Sequence, residues 1–243
     1  MNRPDTINMQ VGSLAITINR KAIKNLHISV LPPEGAVRVS APEHLSDIAI
    51  RRAIVPRIPW IKKQQRSFLD QPRQSEREMV SGESHYSFGK RYRLAVVERR
   101  GRHEIHISGK SKLELRVNPG TSHLGRKKVL EDWYRKTLKA EVSQLLPRWL
   151  DEMGLEGCDW RIKRMKTMWG SCNIEARRIW LNLELAQKPL ECLEFILVHE
   201  LVHLFERHHN DRFRALMDSY LPDWQERRYL LNSSPLANAE WSY

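Results

Sequence analysis

The segment LECLEFILVHELVHLF, residues 190–205, constrains the fold more than any other part of the chain. Its apolar residues cover most of the circumference of a helix, which predicts a helix buried in a core. The same segment contains His199, Glu200 and His203, and polar side chains inside a buried helix need partners because unpaired ones cost free energy. The fold must therefore place hydrogen-bonding groups or a metal ion against this helix.

The spacing H-E-x-x-H favours the metal. Residues i and i+4 of a helix lie on one face, so the imidazoles of His199 and His203 can hold one ion. Glu200 lies one position round the helix, where it can take a proton from a water held by zinc without being a ligand itself. The alternative is a chance match, with both histidines bonded to backbone carbonyls in a core. We predict a catalytic zinc site with Glu200 as its base.

A catalytic zinc site usually has three protein ligands and one open position, so a third ligand is needed. His209 follows His203 by six residues. On a continued ideal helix it would lie about 80° from the metal face, and His208 about 180°. Glu206 lies on the metal face and is the competing candidate. We predict His199, His203 and His209 as ligands, with His208 at the surface.

The composition bounds the class of protein. No apolar run in the 243 residues approaches the ~18 needed for a membrane span. The first residues lack the basic-then-apolar layout of a signal peptide. The three cysteines, Cys158, Cys172 and Cys192, are odd in number and scattered, which argues against a disulfide framework. We expect a cytoplasmic protein with no membrane partner.

The positive charge is concentrated in the first half of the chain. Residues 1–124 carry 22 basic and 11 acidic side chains, whereas residues 125–243 carry 19 and 18. Such an excess is typical of proteins with an anionic partner, although a solvated basic surface is equally common. A nucleotide or nucleic acid is therefore a possible partner at the basic half.

The pattern of elements predicts an α+β fold. Short alternating runs predict strands over much of residues 1–120, interrupted by one helical segment over 45–69 with Ile48, Ile54, Ile58 and Ile61 on its apolar face. NPGTSHLG, residues 118–125, is the candidate boundary. A long helix follows, then two strands around a turn, the second of them continuing to Leu185. We predict two domains, residues 1–120 and 121–243.

Several motifs together resemble one family. RRAIVPRIPWIKKQ, VSGESHYSFGKRYRL, MKTMWGSCN, RIWLNLEL, FILVHELVHLFERHHNDRF and LPDWQERR occur in the order seen in the YgjP-like family of bacterial zincin metallopeptidases, which is related to the SprT-like and WLM proteases. The resemblance covers almost the whole chain. It implies a minimal zincin-like C-terminal domain preceded by a β-rich N-terminal region. It also implies His199, His203 and His209 as metal ligands and Glu200 as the catalytic residue.

The resemblance further implies a strand that borders the cleft and pairs with extended substrate. The hairpin with Trp169, Gly170, Ser171 and Asn173 is the candidate, although Gly170 can equally serve a tight turn and Trp169 a core. Asn182 lies on the polar face of the following strand, where it can orient this hairpin.

Three functions compete. A zinc-dependent peptidase acting on a peptide or protein is the leading hypothesis. The alternative is a nucleoside triphosphate pyrophosphatase acting on UTP, as described for some members of the family, although the chain has no Gly-rich phosphate loop. The third is a nucleic-acid-binding protein with a structural zinc, which a cysteine such as Cys172 or Cys192 would have to close.

Overall fold

The structure is a computed structural model that describes residues 6–31, 35–70, 77–165 and 168–233. The described residues divide into two compact units, one on each side of the gap between residues 70 and 77. Unit 1 comprises the described residues up to 70, and unit 2 comprises residues 77–233. Within the described residues, no helix is both long enough and apolar enough to cross a membrane. Mixed helix and sheet, with a strand-rich N-terminal region, make this an α+β protein, in agreement with the predicted fold class.

Unit 1 is a four-stranded sheet followed by a broken helix. The strands are β1 Thr6–Val11, β2 Leu14–Lys21, β3 His27–Leu31 and β4 Ala36–Pro42, in the order β1-β2-β4-β3. The central pair β2 and β4 is parallel, and both outer pairs are antiparallel. The helices are α1 Asp47–Ile54 and α2 Ile58–Asp70, separated by a 3₁₀ turn at Val55–Arg57. Pro56 lies in that turn, as expected of a residue that divides a helix.

The buried face of the helical segment of unit 1 is the predicted one except at Ile48. Ser46 caps α1 by accepting a hydrogen bond from the backbone N–H of Ala49. Ile50, Ile54 and Ile61 are fully buried in the core of the sheet, whereas Ile48 is 67% exposed. The prediction for Ile48 was wrong because Ile48 and Ile54 lie about 120° apart around α1, whereas Ile50 and Ile54 are one turn apart and share its buried face.

Unit 2 begins with a second four-stranded sheet of the same design. Its strands are β5 Ser84–Ser87, β6 Lys90–Glu98, β7 Glu104–Ser108 and β8 Lys112–Val117, in the order β5-β6-β8-β7. Again the central pair is parallel and the outer pairs are antiparallel. Each of the two sheets is followed by a helix with a serine N-cap, Ser46 in unit 1 and Ser122 in unit 2.

The rest of unit 2 carries the histidine segment. Its elements are α3 His123–Glu152, β9 Asp159–Lys163, β10 Gly170–Asn173, β11 Arg178–Asn182, a 3₁₀ turn Leu183–Gln187, α4 Leu190–Val202, α5 Asp211–Tyr220 and α6 Trp224–Ser233. The sheet order is β10-β11-β9, with β10 at one edge. The sequence predicted two strands here, the second reaching Leu185. The structure has three, and Leu185 lies in the 3₁₀ turn, which has a buried face of its own.

The predicted boundary at residues 120 and 121 falls inside unit 2, because its first sheet is bonded to the later elements. In the turn between β5 and β6, the backbone N–H groups of Phe88 and Gly89 donate to the carbonyls of Ala186 and Gln187. The Tyr134 hydroxyl of α3 donates to the carbonyl of Tyr86 at 2.8 Å. These bonds join the sheet to the 3₁₀ turn that precedes α4, and so to the histidine helix.

Candidate active site

The predicted buried helix is α4. All residues from Cys192 to Val202 except Glu194 are buried, with His199 7% and Glu200 2% exposed. The helix ends at Val202, with His203 as its C-cap. The chain then tightens, because the backbone N–H groups of Leu204 and Phe205 donate to the carbonyls three residues earlier. This turn redirects the segment that carries His209.

The redirected segment brings the three predicted histidines together. The Nε2 atoms of His199 and His209 lie 3.0 Å apart. The ring centroid of His203 lies 5.0 Å from that of His199 and 4.8 Å from that of His209. One nitrogen from each of the three rings lies within 4.8 Å of the others. The ring of Phe213 contacts all three imidazoles at centroid distances of 4.7 to 4.9 Å and supports the cluster from one side.

Glu206, the competing candidate for the third ligand, lies in the turn after α4 and outside the histidine cluster. Its carboxylate accepts the backbone N–H of His208 at 3.1 Å, and its backbone carbonyl accepts from Nδ1 of His203 at 3.1 Å. The metal-ligand group found among the described residues contains no glutamate. Glu206 thus shapes the turn after α4, and His208 is exposed.

The cluster fits a metal ion by the chemistry of its donors. Burial, followed by the charges of His203, His209 and Arg228, lowers the pKa of His199 to about 3. Burial also lowers the pKa of His203 and His209. Neutral imidazoles offer lone pairs, and the carbonyl of Glu206 fixes the His203 tautomer that leaves Nε2 free for a metal. Tetrahedral zinc places two ligand nitrogens about 3.3 Å apart, close to the 3.0 Å observed.

Glu200 lies beside the cluster in an apolar environment. Burial raises the pKa of Glu200 to about 8. Glycine at position 170 allows β10 to approach this carboxylate closely, since a Cβ there would lie 2.5 Å from Oε1 of Glu200. Glu200 therefore has a fixed position between α4 and the edge strand.

A cleft of about 570 Å³ opens over the histidines and Glu200. Its opposite wall is β10, with Gly170, Ser171 and Asn173 among the lining residues. Trp169 is only 1% exposed and belongs to the core. The predicted wall is thus formed by three of the four residues named from the sequence.

Arg207 was not predicted as part of this site, and Asn182 was predicted to orient the hairpin but from the polar face of its strand. Arg207 lines the cleft, and its position depends on a turn whose geometry has no simple signature. Asn182 is fully buried rather than on a polar face. Its amide nitrogen donates to the carbonyls of Met165 and Met168 at 3.2 and 2.8 Å, and its side-chain oxygen accepts from Glu184 N–H. An asparagine followed by an apolar 3₁₀ turn is the signal that would have suggested a cap.

The two cysteines considered for a closed structural site lie elsewhere. Cys172 lines the cleft through β10, and Cys192 is buried at the start of α4. Among the described residues, neither belongs to the histidine cluster.

Comparisons with known proteins place the chain in a family. The search of curated proteins gave no significant match. Two solved structures are similar to part of the chain: the metallopeptidase zymogens abylysin of Pyrococcus abyssi and jannalysin of Methanocaldococcus jannaschii. Abylysin is 22% identical, covers 40% of this chain and 98% of its own, and has a TM-score of 0.35. Jannalysin is 21% identical, covers 37% and 92%, and has a TM-score of 0.34.

The family model described as YgjP-like, metallopeptidase domain, matches residues 24–234. The match spans most of the chain and includes β10, α4 and all three clustered histidines. A metallopeptidase is a hydrolase that uses a divalent metal ion, so the match makes this chain an enzyme of that class. The chain belongs to the YgjP-like family of metallopeptidases.

Proposed function

We propose that the protein is a zinc-dependent peptidase of the cytosol in which His199, His203 and His209 hold the metal and Glu200 is the catalytic base. The observation that carries the proposal is the position of the buried Glu200 carboxyl beside three neutral imidazoles, at the floor of an open cleft. A structural zinc site is usually closed by a fourth protein ligand and gains nothing from a carboxylate next to the ion.

His199, His203 and His209 would hold the zinc ion, which would supply a Lewis acid able to lower the pKa of water and to polarise a carbonyl. Glu200 takes the proton from the attacking water and transfers it to the leaving amine. Its raised pKa suits that role, because a group that accepts and then gives up a proton works best with a pKa near the working pH. A bound cation will lower this pKa from about 8, back toward neutrality.

Strand β10 is the proposed platform for the substrate. It lies at the edge of its sheet, and its residues Gly170–Asn173 line the cleft. An edge strand can pair with an extended peptide through backbone hydrogen bonds, which give affinity without sequence selectivity. A peptide bound along β10 passes directly over Glu200, because Gly170 is in contact with that carboxylate.

A second candidate reaction on the same site is the hydrolysis of UTP at a pyrophosphate linkage. Arg207 favours it, because a guanidinium in the cleft can contact a phosphate through paired hydrogen bonds. Three-imidazole sites are less usual for such chemistry, which tends to use magnesium with carboxylates. We therefore rank it second.

Unit 1 is the proposed site for an anionic partner. Residues 48–66 contain no acidic side chain, and all six of their basic side chains are exposed: Arg51, Arg52, Arg57, Lys62, Lys63 and Arg66. Trp60, 40% exposed, lies among them. Cations interleaved with an exposed aromatic ring can bind single-stranded nucleic acid through phosphate contacts and base stacking. Binding of an oligonucleotide that weakens steeply with salt, and weakens further in Trp60→Ala, will test this.

The experiment that tests the enzymatic proposal starts with metal content. Mass spectrometry should find about one zinc ion per chain in the wild type and in Glu200→Gln, and far less in His203→Ala. The zinc-loaded wild type is then given a peptide library and, separately, UTP. Cleavage of peptides that is lost in Glu200→Gln supports the proposal. Hydrolysis of UTP alone favours the second candidate, and a wild type that binds no zinc overturns both.

A further inference from the structure

A second cavity meets the catalytic cleft at the metal ligands. It has a volume of about 260 Å³ and shares His199 and His209 with the cleft. The rest of its lining comes from α4, α5 and α6 and includes Phe195, Phe213, Trp224, Arg228, Leu231 and Asn232. We call it the α6 pocket. A group that fills it lies against the rings of two ligands, within reach of a bond positioned at the metal.

The walls of the α6 pocket are formed mainly by aromatic rings and a leucine. Phe195, Phe213 and Leu231 are each at most 4% exposed. The rings of Phe195 and Trp224 are stacked at a centroid distance of 6.4 Å. Since a dry cavity of about 150 Å³ already accommodates benzene, the α6 pocket has room for one aromatic side chain. Burying apolar surface against these rings would supply the binding free energy.

The rim of the α6 pocket is polar. Arg228 and Asn232 are both exposed and lie one turn apart on α6. Arg228 lines the α6 pocket together with the rings of His199 and His209. A cation at this place suits an oxygen atom of the substrate backbone, whereas a charged lysine or arginine side chain of the substrate would be repelled.

We propose that the α6 pocket is a specificity subsite that accepts a large apolar side chain, preferably aromatic, from a substrate residue next to the scissile bond, and that Arg228 contacts a backbone oxygen of the bound segment. This inference rests on the peptidase function proposed above. In this proposal two surfaces bind the substrate: β10 binds the extended backbone of any peptide, and the α6 pocket determines which peptide bond is cleaved.

The test compares cleavage preferences of zinc-loaded variants on a randomised peptide library. The wild type should cleave beside Phe, Tyr, Trp or Leu at least about tenfold more efficiently than beside Ala or Lys. Asn232→Trp, a change at an exposed position, places a ring in the mouth of the pocket and should lower the ratio of cleavage beside Phe to cleavage beside Ala to about one. Arg228→Gln should raise KM with little change in kcat, because the lost contact is made in both ground and transition states.

Tyr229→Ala is the matched control. Tyr229 neighbours Arg228 on α6, is 76% exposed and lines neither cavity, so its removal should leave the preference unchanged. A preference that is absent in the wild type, or that survives unaltered in Asn232→Trp, overturns the subsite.

A binding measurement separates this inference from the peptidase proposal. Zinc-loaded Glu200→Gln is titrated with N-acetyl-phenylalanine amide and with N-acetyl-alanine amide, and binding is followed by NMR shifts of the indole N–H groups. We expect at least tenfold tighter binding of the phenylalanine compound, lost in Glu200→Gln combined with Asn232→Trp. If the wild type cleaves no peptide, the peptidase proposal fails, yet this titration still decides whether the pocket binds aromatic groups. Equal binding of the two amides overturns the subsite.

Discussion

Gly170 of β10 and Glu200 of α4 are in direct contact, because a Cβ on Gly170 would lie 2.5 Å from Oε1 and 2.7 Å from Cγ of Glu200. No side chain fits at that distance without moving the carboxylate. The requirement for glycine thus comes from the approach of a strand to a buried carboxyl group, not from a special backbone conformation, since φ of Gly170 is not positive. The edge strand and the Glu200 carboxyl group are positioned by the same contact.

Gly170→Ala should therefore retain zinc and lose activity. The added methyl group displaces Glu200, and a displacement of about 1 Å in a catalytic group can cost roughly 100-fold in rate. Peptidase activity and zinc content of the purified variant check this. The control is Gly109→Ala, at a turn with open space around the glycine, which should keep its activity even if its positive φ lowers stability. Full activity in Gly170→Ala would refute the positional role.

The sequence predicted α4 and the histidine spacing well, because both depend on a strong and local pattern. A nearly all-apolar helix that contains H-E-x-x-H has few ways to satisfy its polar groups. The location of His209 was harder, since an ideal helix puts it about 80° away from the metal face. It reaches the cluster only because α4 ends at Val202 and two i to i−3 hydrogen bonds tighten the turn.

The common design of the two four-stranded sheets was not predictable from the pattern. LHIS of residues 26–29 and IHIS of residues 105–108 lie at equivalent strands, β3 and β7. The lengths of the neighbouring strands and turns differ, however, so no fixed period is visible in the sequence. The bonds between the first sheet of unit 2 and the later elements were not predictable for a related reason. The backbone hydrogen bonds from Phe88 and Gly89 to residues 186 and 187 join segments far apart in the chain, so the local sequence does not predict them.

The third ligand is tested by comparing two neighbours of the turn. His209→Ala removes an imidazole from the cluster and should weaken zinc binding by at least about tenfold. Glu206→Gln keeps an oxygen that accepts the hydrogen bond from His208 N–H, so this variant should bind zinc nearly as tightly as the wild type. Competition with a chromophoric chelator measures both affinities. The same order should appear in thermal unfolding, where zinc at 1,000 times its Kd stabilises the folded state by about 4 kcal/mol. The reverse order would make Glu206 the ligand.

Asn182 is expected to hold the segment that precedes β10. Asn182→Ala leaves the carbonyls of Met165 and Met168 and the N–H of Glu184 without their side-chain partner in a buried place, which should lower the free energy of unfolding by about 3 kcal/mol. Urea denaturation measures the loss. Asn173→Ala is the comparison, because its amide oxygen accepts a single exposed hydrogen bond from Ala176 N–H and should matter by less than about 1 kcal/mol. Equal losses in the two variants would argue against a special role for Asn182.

His85 should make the stability of unit 2 depend on pH. Burial, followed by the charge of Arg77, lowers the pKa of His85 to about 4 from an ordinary value of 6.5. As the pH falls below 6.5, the unfolded chain binds a proton that the folded chain refuses, so the free energy of unfolding decreases until about pH 4. The stabilisation is fully present above pH 6.5. From pH 7 to pH 5, the contribution of His85 should decrease by about 2 kcal/mol.

The histidines of the active site have lowered pKa values as well, so the wild type alone cannot isolate His85. The measurement is therefore the difference in unfolding free energy between metal-free wild type and metal-free His85→Asn at pH 7 and pH 5. Asparagine keeps a polar group near Glu83 but does not titrate in this range. The advantage of the wild type over the variant should shrink at pH 5. A difference that stays constant with pH would mean that the pKa of His85 is the same in the folded and the unfolded chain, and an advantage that grows at pH 5 would mean that pairing with Glu83 raises it.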